Sequence, residues 1–291
     1  MFDTLSWQWP WHPWTLLVLL LLCILYFLGY QQARKKSAVI QMKPRHTVAF
    51  ISAIALMALV LLTPIDTMAR THYFWLHIAQ TITLTTICAP LLIASCAWGV
   101  TQPLLDQPLL RAIAVFLTHP IVASIIFNIA FLLWHAPKIL DATVGNPNLY
   151  QIMELSLLAC SLLNWYPLIG SRPELRHMNY PMQMLYAFVD GQPVDIFAFV
   201  LVFTETPIYT QFRASMGPHL PAYADQALGG ALLLIPGLVD LAVMSPLFFR
   251  WLKQIEHRTD LSDQRRQQEL EEEEWEEEEE LEEATHPQKV E

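Results

Sequence analysis

Seven long apolar segments restrict the folds that this sequence can adopt. They span residues 14–30, 47–62, 74–98, 112–134, 149–168, 184–203 and 227–251. A helix needs roughly 20 apolar residues to cross the hydrocarbon core of a bilayer. Because backbone polar groups in a bilayer must pair within the helix or within a closed barrel, we expect each segment to be a helix. The sequence therefore predicts an all-α, polytopic membrane protein with seven transmembrane helices.

The distribution of Lys and Arg predicts the direction in which these helices cross the membrane. Thirteen of the 17 basic residues flank the helices on one side, whereas the other side has only Arg70, Lys138 and Arg213. Short loops that are rich in Lys and Arg remain in the cytoplasm. We therefore expect the N-terminus outside and the C-terminus inside.

Composition divides the chain into three regions. Residues 1–13 form an outer, Trp-rich segment without Lys or Arg, so we expect the first helix to be an uncleaved anchor and not a signal peptide. Residues 14–252 form the membrane domain, and residues 253–291 form a charged cytoplasmic tail. Within the tail, residues 269–283 hold 12 of the 27 acidic residues. Such a block is typical of solvated, disordered chain, so the net charge of -10 reflects the tail.

Several common chemistries have no local motif in this sequence. The four cysteines lie in apolar segments without C-x-x-C spacing, which indicates neither a disulfide framework nor a thiolate metal site. The motifs of nucleotide-binding loops, zinc proteases and serine hydrolases do not occur, and no basic face indicates nucleic acid binding. We therefore expect no enzymatic activity, no catalytic or organic-cofactor-binding residues and no nucleic acid partner.

Four ionisable side chains that could bind a metal ion share the predicted outer side. His77 lies near the start of the third helix and His135 at the end of the fourth, while Glu154 and Asp225 lie near the starts of the fifth and seventh. Imidazole and carboxylate bind divalent ions, and imidazole also suits Cu(I). Each group could instead reach water or bond a neighbouring helix. His72 points about 140° away from His77 on a helix, so these two are not expected to form a site.

Three acidic residues lie inside predicted spans. Asp190 and Asp195 occur around Gly191 in the sixth segment, and Asp240 lies midway along the seventh. Ionisable groups at this depth face the interior of a bundle or a wet cavity. Two interpretations stay open, namely an ion or proton path and hydrogen bonds between helices.

Short motifs also follow one another in order between residues 45 and 252. They are Thr63-Pro64-Ile65-Asp66, Leu76-His77-Ile78-Ala79-Gln80, Ala89-Pro90-Leu91-Leu92, Trp134-His135-Ala136-Pro137, Pro207-Ile208-Tyr209 and Asp225-Gln226-Ala227-Leu228-Gly229-Gly230. Together they resemble motifs of the caa-type cytochrome c oxidase assembly factors, the CtaG-like family of seven-helix membrane proteins.

This resemblance implies a function, a location and a set of residues. It implies maturation of a haem-copper oxidase in the bacterial cytoplasmic (inner) membrane, with copper handled or relayed at the outer face. The implied partners, besides the lipid bilayer, are an oxidase subunit or a copper chaperone, and copper is the implied cofactor. Carried over by position, the resemblance marks His77, Gln80, His135, Asp225 and Gln226.

The chain departs from the family pattern at three positions where the family has histidine. These positions hold Thr81, Tyr150 and Glu154. Hydroxyl, phenol and carboxylate are harder ligands than imidazole, so they would weaken a Cu(I) site. Two alternatives to copper handling therefore stay open. One is a scaffold that holds an oxidase subunit or another membrane partner without metal, and the other is a small ion or proton path through the intramembrane acids.

Overall fold

A computed structural model describes residues 9–10, 12–35, 44–95, 107–170, 178–214 and 221–285 of the chain. These residues form helices and connecting segments without a β-strand, which confirms the all-α prediction for the described part. Most of the Trp-rich segment 1–13, the end of the third predicted span and Cys96 lie outside it. The predicted orientation of the termini stays a prediction.

The described helices are numbered here in chain order. They are α1 (Pro13–Lys35), α2 (Pro44–Leu62), α3 (Pro64–Thr71), α4 (Phe74–Ile82), α5 (Ala89–Ser95), α6 (Pro108–Leu117), α7 (Pro120–Trp134), α8 (Pro137–Val144), α9 (Pro147–Ile169), α10 (Tyr180–Phe203), α11 (Thr210–Ala214), α12 (Ala222–Leu232) and α13 (Ile235–Thr285). A π-helical segment, Thr83–Cys88, joins α4 to α5.

Six helical segments of the described chain are long and apolar enough to cross a membrane. They are α1, α2, the continuous segment from α4 to α5, α9, α10 and the segment that begins with α12. A seventh is obtained if α6 and α7 count as one bent span. Six or seven spans agree with the sequence-based prediction of a polytopic membrane protein.

The fourth predicted span is broken. The sequence predicts one helix over residues 112–134, but α6 and α7 meet at an angle of 68°. Pro120 explains the break, because proline lacks an N–H and disfavours helical geometry in the preceding residue. His119 accordingly has the extended angles φ -64° and ψ 129°. The prediction of one continuous helix here is wrong.

The segment from α4 to α5 is the most buried of the candidate spans. Within the bundle, 67% of this segment is buried, compared with 17% for α1 and 22% for α2. Exposed Leu, Ile and Phe side chains instead cover the outward faces of α1, α7, α10 and α13, where lipid would surround them. The centre of the bundle is therefore the segment that carries His77.

Two glycines of α12 allow close packing on both sides of that helix. A Cβ atom at Gly229 would lie 2.6 Å from the ring of Phe74 in α4. A Cβ atom at Gly230 would lie 2.8 Å from the carbonyl oxygen of Ala198 in α10. Both separations are too short for a side chain, so the glycines let α12 fit between α4 and α10.

The Glu-rich stretch continues the last helix. Helix α13 extends to Thr285, and its side chains from residue 252 to residue 276 are exposed. The structure departs here from the predicted disorder. Glutamate has a high intrinsic helix propensity, which favours this helix, whereas repulsion between acids four residues apart opposes it.

Candidate functional site

Buried polar side chains gather at one end of the bundle, where α1, α4, α9 and α12 begin and α2 and α7 end. We call this region the polar end. Its members are at most 5% exposed, and they are His12, Asp66, His77, Gln80, Thr81, His135, Tyr150, Glu154, Asp225 and Gln226. Buried polar groups are costly unless they are hydrogen-bonded, so the partners of each group indicate its role.

A chain of hydrogen bonds runs from the start of α1 to His77. His12 Nε2 lies 2.8 Å from Asp66 Oδ2, and Gln80 Nε2 donates to Asp66 Oδ1 at 2.8 Å. Tyr150 Oη donates to Gln80 Oε1 at 2.7 Å and lies 2.8 Å from His77 Nδ1. Four helical segments, α1, α3, α4 and α9, are joined by these bonds.

Three positions where the resemblance implies histidine, Thr81, Tyr150 and Glu154, lie around His77. Thr81 follows it by one turn of α4, and Tyr150 and Glu154 lie one turn apart on α9. Thr81 Oγ1 donates to Glu154 Oε1 at 3.2 Å, and the same oxygen lies 3.5 Å from His77 Nδ1. Tyr150 is therefore a hydrogen-bonding partner of His77, whereas Thr81 bonds Glu154 beside it.

His135 lies beside His77 at the end of α7. The centroids of the two imidazole rings are 5.3 Å apart, and their planes are inclined by 31°. His135 Nδ1 is 2.8 Å from the carbonyl oxygen of Phe131, and Tyr209 Oη donates to the His135 carbonyl at 2.8 Å. Burial lowers the pKa of His135 to about 4, although the bond to Phe131 acts in the opposite direction. This imidazole is therefore neutral at neutral pH.

Both histidines keep one ring nitrogen without a hydrogen-bonding partner. His77 Nε2 and His135 Nε2 are buried and unpartnered, as is Glu154 Oε2. Such orphaned atoms are rare in buried surroundings. Within the described part of the chain, however, no three His, Cys, Asp or Glu side chains are placed to hold one metal ion together. The arrangement is therefore an imidazole pair with a neighbouring carboxyl group.

Asp225 and Gln226 serve the packing of helices. Both oxygens of Asp225 accept hydrogen bonds from the first backbone amides of α4, at 2.7 Å from Phe74 N and 3.1 Å from Trp75 N. Gln226 Oε1 accepts from the amide of Ile208 at 2.7 Å. The predicted role of Asp225 as a metal ligand stays a prediction, and the contacts give it a capping role at the helix that carries His77.

The intramembrane acids form a separate group, farther along the bundle. Asp190 accepts hydrogen bonds from Ser124, Asn128 and Asn164. A Cβ atom at Gly191 would lie 3.4 Å from Asp240 Oδ2 and 3.8 Å from Asp195 Oδ2. The three acids line a cavity of about 60 Å³ that also borders Thr85 in the π-helical segment.

Sequence reasoning did not find several of the contacts at the polar end. It linked neither His12 nor Tyr150 to a hydrogen-bonding partner, and it gave no role to Tyr209 or to the carbonyl of Phe131. One signal was available, since Tyr150 and Glu154 have the i, i+4 spacing of a single helix face, as do His77 and Thr81. The link from His12 to Asp66, across 54 residues, has no such signal.

Comparison with known families adds the identity of this bundle. The family described as "Cytochrome c oxidase caa3 assembly factor (Caa3_CtaG)" matches residues 24–254. The chain belongs to this family. Its matched region contains every candidate residue of the polar end except His12, and it leaves out the Glu-rich stretch. No curated protein and no solved structure matches the chain.

Membership in the Caa3_CtaG family confirms the predicted resemblance. It indicates a membrane protein concerned with cytochrome c oxidase assembly and suggests a role other than catalysis. Family membership also implies an interaction with an oxidase.

Proposed function

We propose that this chain supports the maturation of a haem-copper cytochrome c oxidase by holding Cu(I) between His77 and His135 at the outer membrane face. The supporting observation is the pair of buried imidazoles whose Nε2 atoms have no partner. An unpartnered Nε2 can bind a metal ion when the proton of the neutral imidazole is on Nδ1, because Nε2 then keeps its lone pair.

The donor set fits Cu(I) better than other common ions. Zn²⁺ in proteins takes about four ligands, whereas the described part of the chain offers no cluster of three or more His, Cys, Asp and Glu donors. Ca²⁺ and Mg²⁺ need a shell of oxygen ligands. Cu(I) is stable with few ligands and accepts imidazole nitrogen. His77 and His135 would hold the ion as cargo through their unpartnered Nε2 atoms.

Delivery of this cargo requires the polar end to face the outside of the bacterial cytoplasmic membrane. An oxidase subunit would receive the ion there, and a copper chaperone would supply it. The orientation is tested by fusing a fluorescent protein that matures only in the cytoplasm to the C-terminus. Fluorescence of the fusion supports the proposal, and activity of a periplasmic reporter at the same position would contradict it.

Metal analysis tests copper binding directly. The purified protein is loaded with Cu(I) under anaerobic, reducing conditions, and bound copper is measured after gel filtration. We expect loss of bound copper and of cellular oxidase activity in the double variant His77→Gln/His135→Gln. His72→Gln is the matched control, because His72 bonds Thr71 Oγ1 outside the imidazole pair. Unchanged copper in the double variant would refute the proposal.

A scaffold without metal is the second candidate function. The lack of a three-ligand cluster in the described part of the chain favours it. In that case the double histidine variant, although free of copper, would still co-purify with oxidase subunits and support oxidase activity. Stoichiometric copper in the wild-type protein would argue against a scaffold without metal.

A small ion or proton path is the third candidate, and the cavity lined by Asp190, Asp195 and Asp240 favours it. Proteoliposomes would then take up protons or Na⁺ in response to a gradient, and Asp195→Asn would abolish uptake while oxidase assembly continued. Uptake of protons and Na⁺ no faster than that of protein-free liposomes would exclude this path.

A further inference from the structure

We propose that Asp66, Gln80 and Tyr150 form a positioning relay that keeps the proton of His77 on Nδ1 and thereby leaves Nε2 free to bind an ion. This inference rests on the proposed function for the purpose of the free nitrogen. The relay itself can be tested in protein that contains no metal.

The orientation of the Gln80 side-chain amide determines which groups donate and which accept in this chain of hydrogen bonds. Its Nε2 lies 2.8 Å from the carbonyl oxygen of Val60 and 2.8 Å from Asp66 Oδ1. Both of these oxygens accept hydrogen bonds in this geometry, so the amide must present its two N–H groups to them. The orientation of the Gln80 amide is therefore fixed, and its Oε1 atom points to Tyr150 as an acceptor.

Tyr150 contacts both Gln80 and His77, so the position of its hydroxyl proton determines whether His77 Nδ1 donates or accepts. A tyrosine has one hydroxyl proton, and Tyr150 donates it to Gln80 Oε1 at 2.7 Å. Its oxygen, 2.8 Å from His77 Nδ1, can then only accept from the imidazole. Glu154 Oε1, at 3.5 Å from the same nitrogen, is a second acceptor that acts in the same sense. In a neutral imidazole, a proton on Nδ1 leaves Nε2 as a bare lone pair.

His135 also carries its proton on Nδ1, but its partner is a backbone carbonyl oxygen and not a member of the relay. His135 Nδ1 faces the carbonyl oxygen of Phe131 at 2.8 Å, and a carbonyl oxygen can only accept. Both Nε2 atoms are therefore unprotonated, buried and without a partner. His135 does not depend on the relay, so it provides an internal control.

The relay gives the departures from the family pattern a positive role. Tyr150 and Glu154 stand where the resemblance implies histidines. In this chain Tyr150 Oη lies 2.8 Å from His77 Nδ1, and Glu154 Oε1 lies 3.5 Å from the same nitrogen. Partners of a ligand histidine orient the ring and fix its tautomer, and their loss typically lowers metal affinity by about 10- to 100-fold. Tyr150 and Glu154 are thus proposed to orient a ligand, His77, and not to act as ligands themselves.

Nitrogen NMR of metal-free protein tests the relay. The protein is labelled with ¹⁵N-histidine and reconstituted in lipid nanodiscs, and the signals of His77 and His135 among the ten histidines are assigned with the variants His77→Gln and His135→Gln. We expect both residues as the neutral tautomer with the proton on Nδ1. A proton on Nε2 of His77 in the wild-type protein would overturn the inference.

Two variants then separate the relay from a merely structural role. In Gln80→Leu, the hydroxyl of Tyr150 loses its acceptor and turns to His77 Nδ1, so part of the His77 signal shifts to the Nε2-protonated tautomer while His135 stays unchanged. We expect Cu(I) affinity to fall by about 10- to 100-fold in this variant. In the Tyr150→Phe background, the additional change Gln80→Leu should leave the His77 tautomer unaffected. An equal shift in both backgrounds, or no shift in either, would overturn the relay.

The two proposals fail in different ways. If the wild-type protein carries both protons on Nδ1 but binds no Cu(I), copper handling is refuted and the relay is not. Copper bound through His77 in a protein whose metal-free His77 carries its proton on Nε2 refutes the relay alone. If Gln80→Leu does not fold, the wild-type spectrum and the Tyr150→Phe spectrum still decide the tautomer.

Discussion

A methyl group added at Gly230 should separate α12 from α10 and destabilise the bundle. The new Cβ atom would lie 2.8 Å from the Ala198 carbonyl oxygen and 2.9 Å from Leu201 Cβ. Neither atom can move by a change of rotamer, because one belongs to the backbone and the other is attached to it. The two helices must therefore shift apart, and overpacking of this kind costs about 1–3 kcal/mol.

Gly237→Ala is the matched control for the change in helix propensity. No atom lies within 4 Å of a Cβ placed at Gly237, so the added methyl group meets open space. Replacement of glycine by alanine stabilises a helix by up to about 1 kcal/mol in both variants. This gain cancels when the variants are compared, and the difference between their unfolding free energies isolates the clash.

We expect Gly230→Ala to be less stable than Gly237→Ala by about 1–3 kcal/mol. Relative to wild type, the expected loss is smaller, because the propensity gain offsets part of the clash. The assay is equilibrium unfolding in mixed micelles with increasing SDS, followed by tryptophan fluorescence and circular dichroism. Equal unfolding free energies for the two alanine variants would refute the close packing of α12 against α10.

Three further predictions concern other parts of the chain. Asp225→Ala should lower the unfolding free energy by about 0.5–2 kcal/mol, because the first amides of α4 lose their cap. Asp225→Asn should keep most of the wild-type unfolding free energy, and a larger loss for Asn than for Ala would contradict the capping role. Tyr209→Phe removes a buried hydrogen bond to the His135 carbonyl, so we expect a loss of about 0.5–1.5 kcal/mol in the same assay, and an unchanged value would count against that bond. Added NaCl should increase the helical circular dichroism of the full chain, since salt screens repulsion within residues 269–283, and a variant without this stretch should show no increase.

Much of the membrane architecture could be predicted from the sequence. The length of an apolar segment and the pairing needs of its backbone depend on local composition alone, so residues 14–30 or 184–203 indicate a span without knowledge of their neighbours. Order and spacing of motifs around His77 and His135 likewise predicted the family that the comparison confirmed. The 68° break before Pro120 was also readable in principle, because proline disfavours a helix in the preceding residue.

The arrangement of the polar end could not be predicted in this way. His12 meets Asp66 across 54 positions, and Phe74 meets Asp225 across 151. Sequence patterns placed Asp225 on the same side as His77, but only helix packing shows that its carboxylate accepts hydrogen bonds from the first amides of α4. An apolar pattern indicates which face of a helix is buried, yet it does not determine which helix covers that face.

The sequence by itself thus determined that the chain is a helical membrane protein of the Caa3_CtaG family, since these properties follow from local composition and motif spacing. The same motifs identified His77 and His135 as candidate ligands. Only the tertiary structure decided that the two imidazoles lie 5.3 Å apart between ring centroids. It also decided that Tyr150 contacts His77 from one side, with its proton committed to Gln80. The physical reason is that a hydrogen bond has a direction, and that direction is fixed by partners that come together only when distant helices pack.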